Sequence, residues 1–144
     1  MNLIQNIKLR KVAAGAVSAG TAVNSTAVDM QGFDGVLFFT TIATANSGNY
    51  INAAQGAASN GSDATDLEDT KVVAASSASG VWIDVYKPTD RYVRCEICRG
   101  GTNTATGDIW AIQYGGRLYP EAAANLVTGE LIGEMHISPD EGTA

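Results

Sequence analysis

The chain has a single histidine, His136, two cysteines and nine lysines and arginines in 144 residues. Each scarcity excludes something. Base catalysis needs an imidazole with an oriented partner, and a lone histidine in a C-terminal stretch has none in the pattern. Cupin-like metal chemistry needs a cluster of His and carboxylates, which this chain cannot supply. The two cysteines, Cys95 and Cys98, have C-x-x-C spacing but fall within one predicted strand. Three residues along a strand span roughly 10 Å, beyond the ~7 Å that a disulfide bridges between Cα atoms. No second pair completes a zinc site. Cys95 therefore reads as core, and Cys98 as a small outer or partly covered side chain.

The formal net charge is −6, which opposes a phosphate backbone; a nucleic-acid binder clusters its cations. The one basic bias, Lys8, Arg10 and Lys11, reads as a guarded edge strand. No apolar run reaches about 18 residues, so no membrane span is expected. The N-terminus lacks the charged, apolar and small-residue order of a signal peptide, so synthesis in a cytoplasm without an export signal of its own is expected. No partner in nucleic acid or membrane is anticipated.

Other chemical signatures are missing too. No serine sits in a G-x-S-x-G elbow. The glycine-rich stretches AGAVSAG and RGGTNTATG carry neither a P-loop lysine nor a dinucleotide spacing. Asp63, Asp66, Glu68 and Asp69 lack the EF-hand order and read as a solvated face. No catalytic, cofactor-binding or metal-ligating residue is assigned, and no enzyme activity is expected.

What is present is alternation. In Gly80–Gly101, Val81, Ile83 and Val85 share one parity, with Trp82, Asp84 and Tyr86 on the other. After the break Lys87–Arg91, Val93, Cys95 and Ile97 alternate with Tyr92, Arg94, Glu96 and Cys98. Such runs are half-buried strands, and a five-residue break with Pro88 and Asp90 suits a hairpin loop. The expected register sets Tyr86 opposite Tyr92, Val85 opposite Val93 and Ile83 opposite Cys95. It makes Asp84 and Arg94 a structural cross-strand pair on the outer face, with Glu96 beside them. Trp82, Tyr86 and Tyr92 then share that face, as a subunit interface or an aromatic platform.

Elsewhere, Ile7–Val12 alternates as an edge strand after a short arm. Ala13–Gly20 reads as a loop. Thr21–Asp29 reads as a strand whose parity breaks near Asn24–Ser25, as a bulge would. Val36–Thr44 is a near-continuous apolar run fitting a central strand. Asn49–Gln55 and Thr70–Ala75 read as further strands, with a surface loop at Gly56–Asp66. In Asp108–Tyr114, Ile109, Ala111 and Gln113 alternate with Trp110, Ile112 and Tyr114, so one face is strongly apolar. Pro120–Val127 is a short helix with Pro at its first position. The last stretch, Thr128–Ala144, carries Leu131, Ile132, Met135 and Ile137 as apolar anchors.

The fold class is thus all-β: an antiparallel jelly-roll-like sandwich of seven or eight short strands. An N-terminal arm and edge strand (1–11) precedes the sandwich (12–119), and a short helix with an extended tail (120–144) follows it. The segments expected to dock on a partner are the arm, with Leu3, Ile4 and Ile7, and the tail, with Leu131, Ile132, Met135 and Ile137.

Four strings, STAVDMQGFDGVLFFTT (Ser25–Thr41), VYKPTDRYVR (Val85–Arg94), AIQYGGR (Ala111–Arg117) and ISPDEGTA (Ile137–Ala144), resemble the small capsid cement, or decoration, proteins of tailed bacteriophages. They are most like those of a Bordetella phage. The resemblance implies a jelly roll on the outer surface of the virion capsid. It implies a major capsid protein of HK97-like fold as partner, self-association as a homodimer, a trimer being the other option, and no cofactor. It implies stabilisation of the shell by bridging capsid subunits. The alternative is a carbohydrate- or receptor-binding jelly-roll module of a virion or tail fibre.

Overall fold

The computed structural model describes residues 3–75 and 79–117, with the isolated positions 131, 133 and 141. Twelve strands form within them: β1 (Ile7–Ala13), β2 (Ala16–Ala19), β3 (Val23–Asn24), β4 (Val28–Asp29), β5 (Gly35–Ile42), β6 (Asn49–Gly56), β7 (Thr65–Asp66), β8 (Val72–Val73), β9 (Ser79–Tyr86), β10 (Tyr92–Arg99), β11 (Thr104–Thr106) and β12 (Ile109–Tyr114). All pairings are antiparallel, in two sheets. In the first, β1, β12, β5 and β9 lie side by side, and the short β11–β2 ribbon continues along β5 past the end of β12. In the second, β3 and β4 follow one another along β10, β6 lies beyond, and β7 and β8 follow one another along β6. With β3/β4 and β7/β8 taken as interrupted strands, each sheet has four principal members. The chain changes sheet at six of the eleven connections between these strands, the repeated crossing of a jelly-roll-like sandwich.

The core is the layer between the sheets. Phe38, Ile42, Ile51, Ile97, Ile109, Val28, Val36 and Val93 are fully buried there. Phe38 is the one aromatic ring among the buried hydrophobic side chains described, so the layer is thin. Its periodicity is that of the sequence: β10 is buried at every second residue, and Val81, Ile83 and Val85 of β9 point inward.

The pairing of β9 with β10 is a correction. They do not form a hairpin: β9 pairs with β5 and β10 pairs with β6, in opposite sheets. Alternation fixes which face of a strand is buried but not which strand lies beside it. Two apolar faces can lie side by side in one sheet or meet across a core about 10 Å thick. Here they meet across it, and residues 87–91 cross the gap. Lys87 turns with φ +52° and its amide donates to the carbonyl of Asp34 at 2.7 Å. The cross-strand pair Asp84–Arg94 consequently does not form.

Three further differences are local. Ala16–Ala19 is a strand, not a loop; its alanines and serine carry little β propensity. Thr21–Asp29 is broken where the parity changes. Between β3 and β4, Ser25 donates its amide to Cys95 O (2.9 Å), and its hydroxyl accepts the Cys95 amide (3.0 Å). Within Gly56–Asp66 the carboxylate of Asp63 closes the loop, accepting from the amides of Ala57 and Ala58. The helix expected at Pro120–Val127 lies outside the described residues, as do Ile132, Met135, His136 and Ile137; Leu131 is half-buried.

Candidate interaction face

The strongly apolar side of β12 is turned away from the core. Ile109, Ala111 and Gln113 are buried, while Trp110, Ile112 and Tyr114 point outward. Register extends that face across the sheet, because directly opposed residues share a side. One row runs Ile7–Tyr114–Gly35–Tyr86, the next Leu9–Ile112–Leu37–Asp84, the third Lys11–Trp110–Phe39–Trp82. Nine of these twelve positions are apolar or aromatic. Phe39 is 38% exposed, and Trp82 and Tyr86 are each 61% exposed. The other six, Ile7, Leu9, Leu37, Trp110, Ile112 and Tyr114, are half-buried; a partly exposed apolar face of this kind is a candidate interaction site.

Two residues shape the face. Gly35 leaves room for the Tyr114 ring to lie flat across it; a Cβ there would collide with the ring. The ring can then reach β9, where the Tyr114 hydroxyl donates to Asp84 Oδ1 at 2.6 Å. Burial pushes the Tyr114 hydroxyl well above its ordinary value, and the bond to Asp84 adds to this, so the phenol stays a donor.

The residues singled out from the sequence are thus redistributed. Trp82, Tyr86 and Ile7 are on this face. Tyr92 is not: it lies in the second sheet opposite Gly56 and Asp29, with the Arg91 guanidinium 5.2 Å from its ring centre. The aromatic trio does not assemble. Arg94 turns to Glu96 of its own strand (Nε–Oε1 2.7 Å) and to the Gly61 carbonyl (3.0 Å). Leu3 is 64% exposed at the start of the arm. Trp110, Ile112 and Tyr114 were read as one side of an alternating strand, but Leu37, Phe39 and Leu9, which continue that side across the sheet, were missed. Their signal was available: Val36–Ile42 and Ile109–Tyr114 carry apolar residues on both parities, so apolar side chains stand on both sides of each strand.

Reactive groups are quiet. Cys95 is fully buried, and burial pushes its thiol up to about 12; Cys98 is half-buried on the opposite side of β10. Among the described residues no three His, Cys, Asp or Glu side chains are grouped to hold a metal. No described helix is long and apolar enough to cross a membrane. A polar groove of about 600 Å³ at one end is lined by Met30–Asp34, Lys87–Arg91 and Arg117. Beside it Arg91 grips Asp29 through two bonds (2.9 and 2.8 Å), which holds that carboxyl below its ordinary value. A carboxyl lowered by folding stabilises above its unfolded pKa, near 3.8, and loses that contribution as pH falls through the folded value. Asp29→Asn should therefore lower the melting temperature at neutral pH. The gap to wild type should close as pH drops below 3.8; a gap independent of pH would contradict this role.

No family model and no curated protein matches the sequence. Solved structures do resemble the fold. The PBSX exported protein XepA aligns over 100% of this chain at 17% identity with a TM-score of 0.55, and this chain spans 43% of XepA's length. A structure of Bacillus endospore appendages, described as disulfide-linked pili, aligns over 76% of this chain and 88% of its own at 19% identity, TM-score 0.46. The SPBc2 prophage-derived protein YomS aligns over 75% and 92% at 9% identity, TM-score 0.47. The likeness to XepA is one of architecture: the sandwich is shared and the side chains mostly are not.

Proposed function

We propose that the chain is a structural virion protein, a capsid cement or decoration protein of a tailed phage, which transforms no substrate. The observation that carries this reading is the outer face of the first sheet, three rows of apolar and aromatic side chains on a rigid sandwich. Burying such a face contributes about 25 cal/mol per Å², and a lattice of identical sites multiplies modest contacts. The resemblance of the four sequence strings to cement proteins supports as partner a major capsid protein of HK97-like fold, bridged on the outside of the head. Opening the shell then requires breaking the bridge as well as the shell's own junctions. The acidic net charge of −6 fits a solvent-facing position better than one against packaged nucleic acid. A sandwich also shared with XepA, an exported PBSX protein, is compatible with that setting.

The arm (Leu3, Ile4, Ile7) and the tail (Leu131, Ile132, Met135, Ile137) serve in this reading as extensions that reach neighbouring subunits. Deleting residues 131–144 should abolish occupancy on isolated heads while leaving the circular dichroism of the sandwich unchanged. Undiminished occupancy would remove the tail from the account.

A second reading has one observation in its favour. Trp82 and Tyr86 stand exposed on the same side of β9, four residues and so roughly 13 Å apart, a spacing that two sugar rings could bridge. Binding of the isolated protein to a glycan array, lost in Trp82→Ala, would favour a carbohydrate-binding module over cement.

A further inference from the structure

β9 is a long strand at the margin of the first sheet. Among the described residues Ser79–Tyr86 pairs with β5 alone. A free edge offers a row of unpaired amides and carbonyls, and proteins guard such rows with brevity, bulges, proline, lysine or inward-pointing charge. The other sheet edges are short or guarded: β2 has four residues and an irregular register against β11. β1 is bulged between Lys11 and Ala13 and turns Lys8 and Arg10 inward, opposite Gln113 and Ala111. β3, β4, β7 and β8 have two residues each. β9 has eight residues, no register shift against β5, no proline, no lysine, and only valine and isoleucine at its inward positions 81, 83 and 85. A groove of about 520 Å³ runs beside it. Val81 and Ile83, which point inward, and Trp82 and Asp84, which point outward, line one wall, and Val72 and Val73 are among the residues lining the rest. Both parities reach the groove, so it follows the strand's edge and not one of its faces.

We propose that this edge receives a second copy of the same chain, β9 pairing antiparallel with the partner's β9 about a two-fold axis. Opposed residues must share a side of the sheet, so the axis passes through a residue. With the axis at Ile83, Val81 meets the partner's Val85, Trp82 meets the partner's Asp84, and Tyr86 covers the partner's Gly80. An axis at Asp84 would oppose two carboxylates, which is destabilising. An axis at Trp82 would leave Tyr86 beyond the paired stretch. The register at Ile83 therefore opposes no like charges and sets the large Tyr86 against a glycine, the self-complementarity in size that a two-fold interface requires. The axis stands perpendicular to the sheet, so the apolar outer faces of both copies look to the same side. This inference deepens the cement reading and rests on it: the dimer presents a doubled face to the shell.

The test uses the full chain in sedimentation equilibrium, with Trp82→Glu and Trp82→Lys. Both substitutions remove the same exposed indole. The carboxylate that W82E introduces would oppose the partner's Asp84 twice per dimer, whereas the ammonium that W82K introduces would attract it twice. Wild type should be dimeric, and W82E should dissociate with a Kd about tenfold or more above that of W82K, circular dichroism being the same for both. A monomeric wild type, or equal Kd values for the two variants, overturns the proposal. Occupancy on isolated heads is scored in parallel. Monomers that occupy heads would sink the β9 dimer and leave the cement reading standing; dimers that never occupy heads would do the reverse.

Discussion

Arg99→Leu is expected to lower stability by about 3 kcal/mol, or roughly 10 °C in melting temperature. Arg99 ends β10 on its inward side and is only 4% exposed. Its guanidinium donates to four neutral oxygens: Thr21 O at 2.5 Å, Val17 O at 2.8 Å, Thr104 O at 2.9 Å and Thr21 Oγ1 at 3.1 Å. Those carbonyls belong to β2, β11 and the turn after β2, segments with few large side chains to pack. The arginine does there what a hydrophobic cluster does elsewhere: it fastens a small-residue ribbon to the sandwich. Leucine restores volume but takes the donor from the buried Thr104 carbonyl and from the part-buried Val17 and Thr21 carbonyls; a buried group left without a partner costs about 1–3 kcal/mol. Hydrogen exchange should accelerate first at Ala16–Ala19 and Thr104–Thr106. A loss below about 1 kcal/mol, or exchange rising uniformly, would show that the ribbon is held by something else.

Phe39→Asp should have the opposite signature. Phe39 sits mid-face between Trp110 and Trp82 and is already 38% exposed. Stability should change by less than about 1 kcal/mol, as for a surface substitution. Occupancy on heads should fall at least about tenfold, because a carboxylate at the centre of an apolar contact must be desolvated without a partner. Thr41→Asp, placed one alternate position further along β5 outside the three rows, is the control and should bind nearly normally. If Phe39→Asp binds as well as wild type, the outer face of the first sheet is not what meets the shell.

The sequence carried the strands further than the sheet. Parity assigned Val81, Ile83, Val85, Val93, Cys95 and Ile97 to the core correctly, since alternation is a local property of each strand. It did not say that β9 and β10 belong to different sheets, because a crossing connection and a hairpin loop of five residues have the same composition. That error carried Asp84, Arg94 and Tyr92 with it. β2 was hidden for a different reason. Its alanines signal nothing, and the residue that holds it, Arg99, is some eighty positions away. The apolar outer face was written in the doubly apolar runs of β5 and β12. Reading it as one surface needed the register that joins them to β1 and β9.

The central claim is that this chain clamps a shell. Its most direct test is the composition of purified heads: mass spectrometry and gel densitometry of the chain against the major capsid protein. The account predicts a fixed stoichiometry, saturable when purified protein is added back to stripped heads, with the chain on the outer surface. Heads that carry none of it, or an amount that washes away in proportion to dilution, would contradict the account.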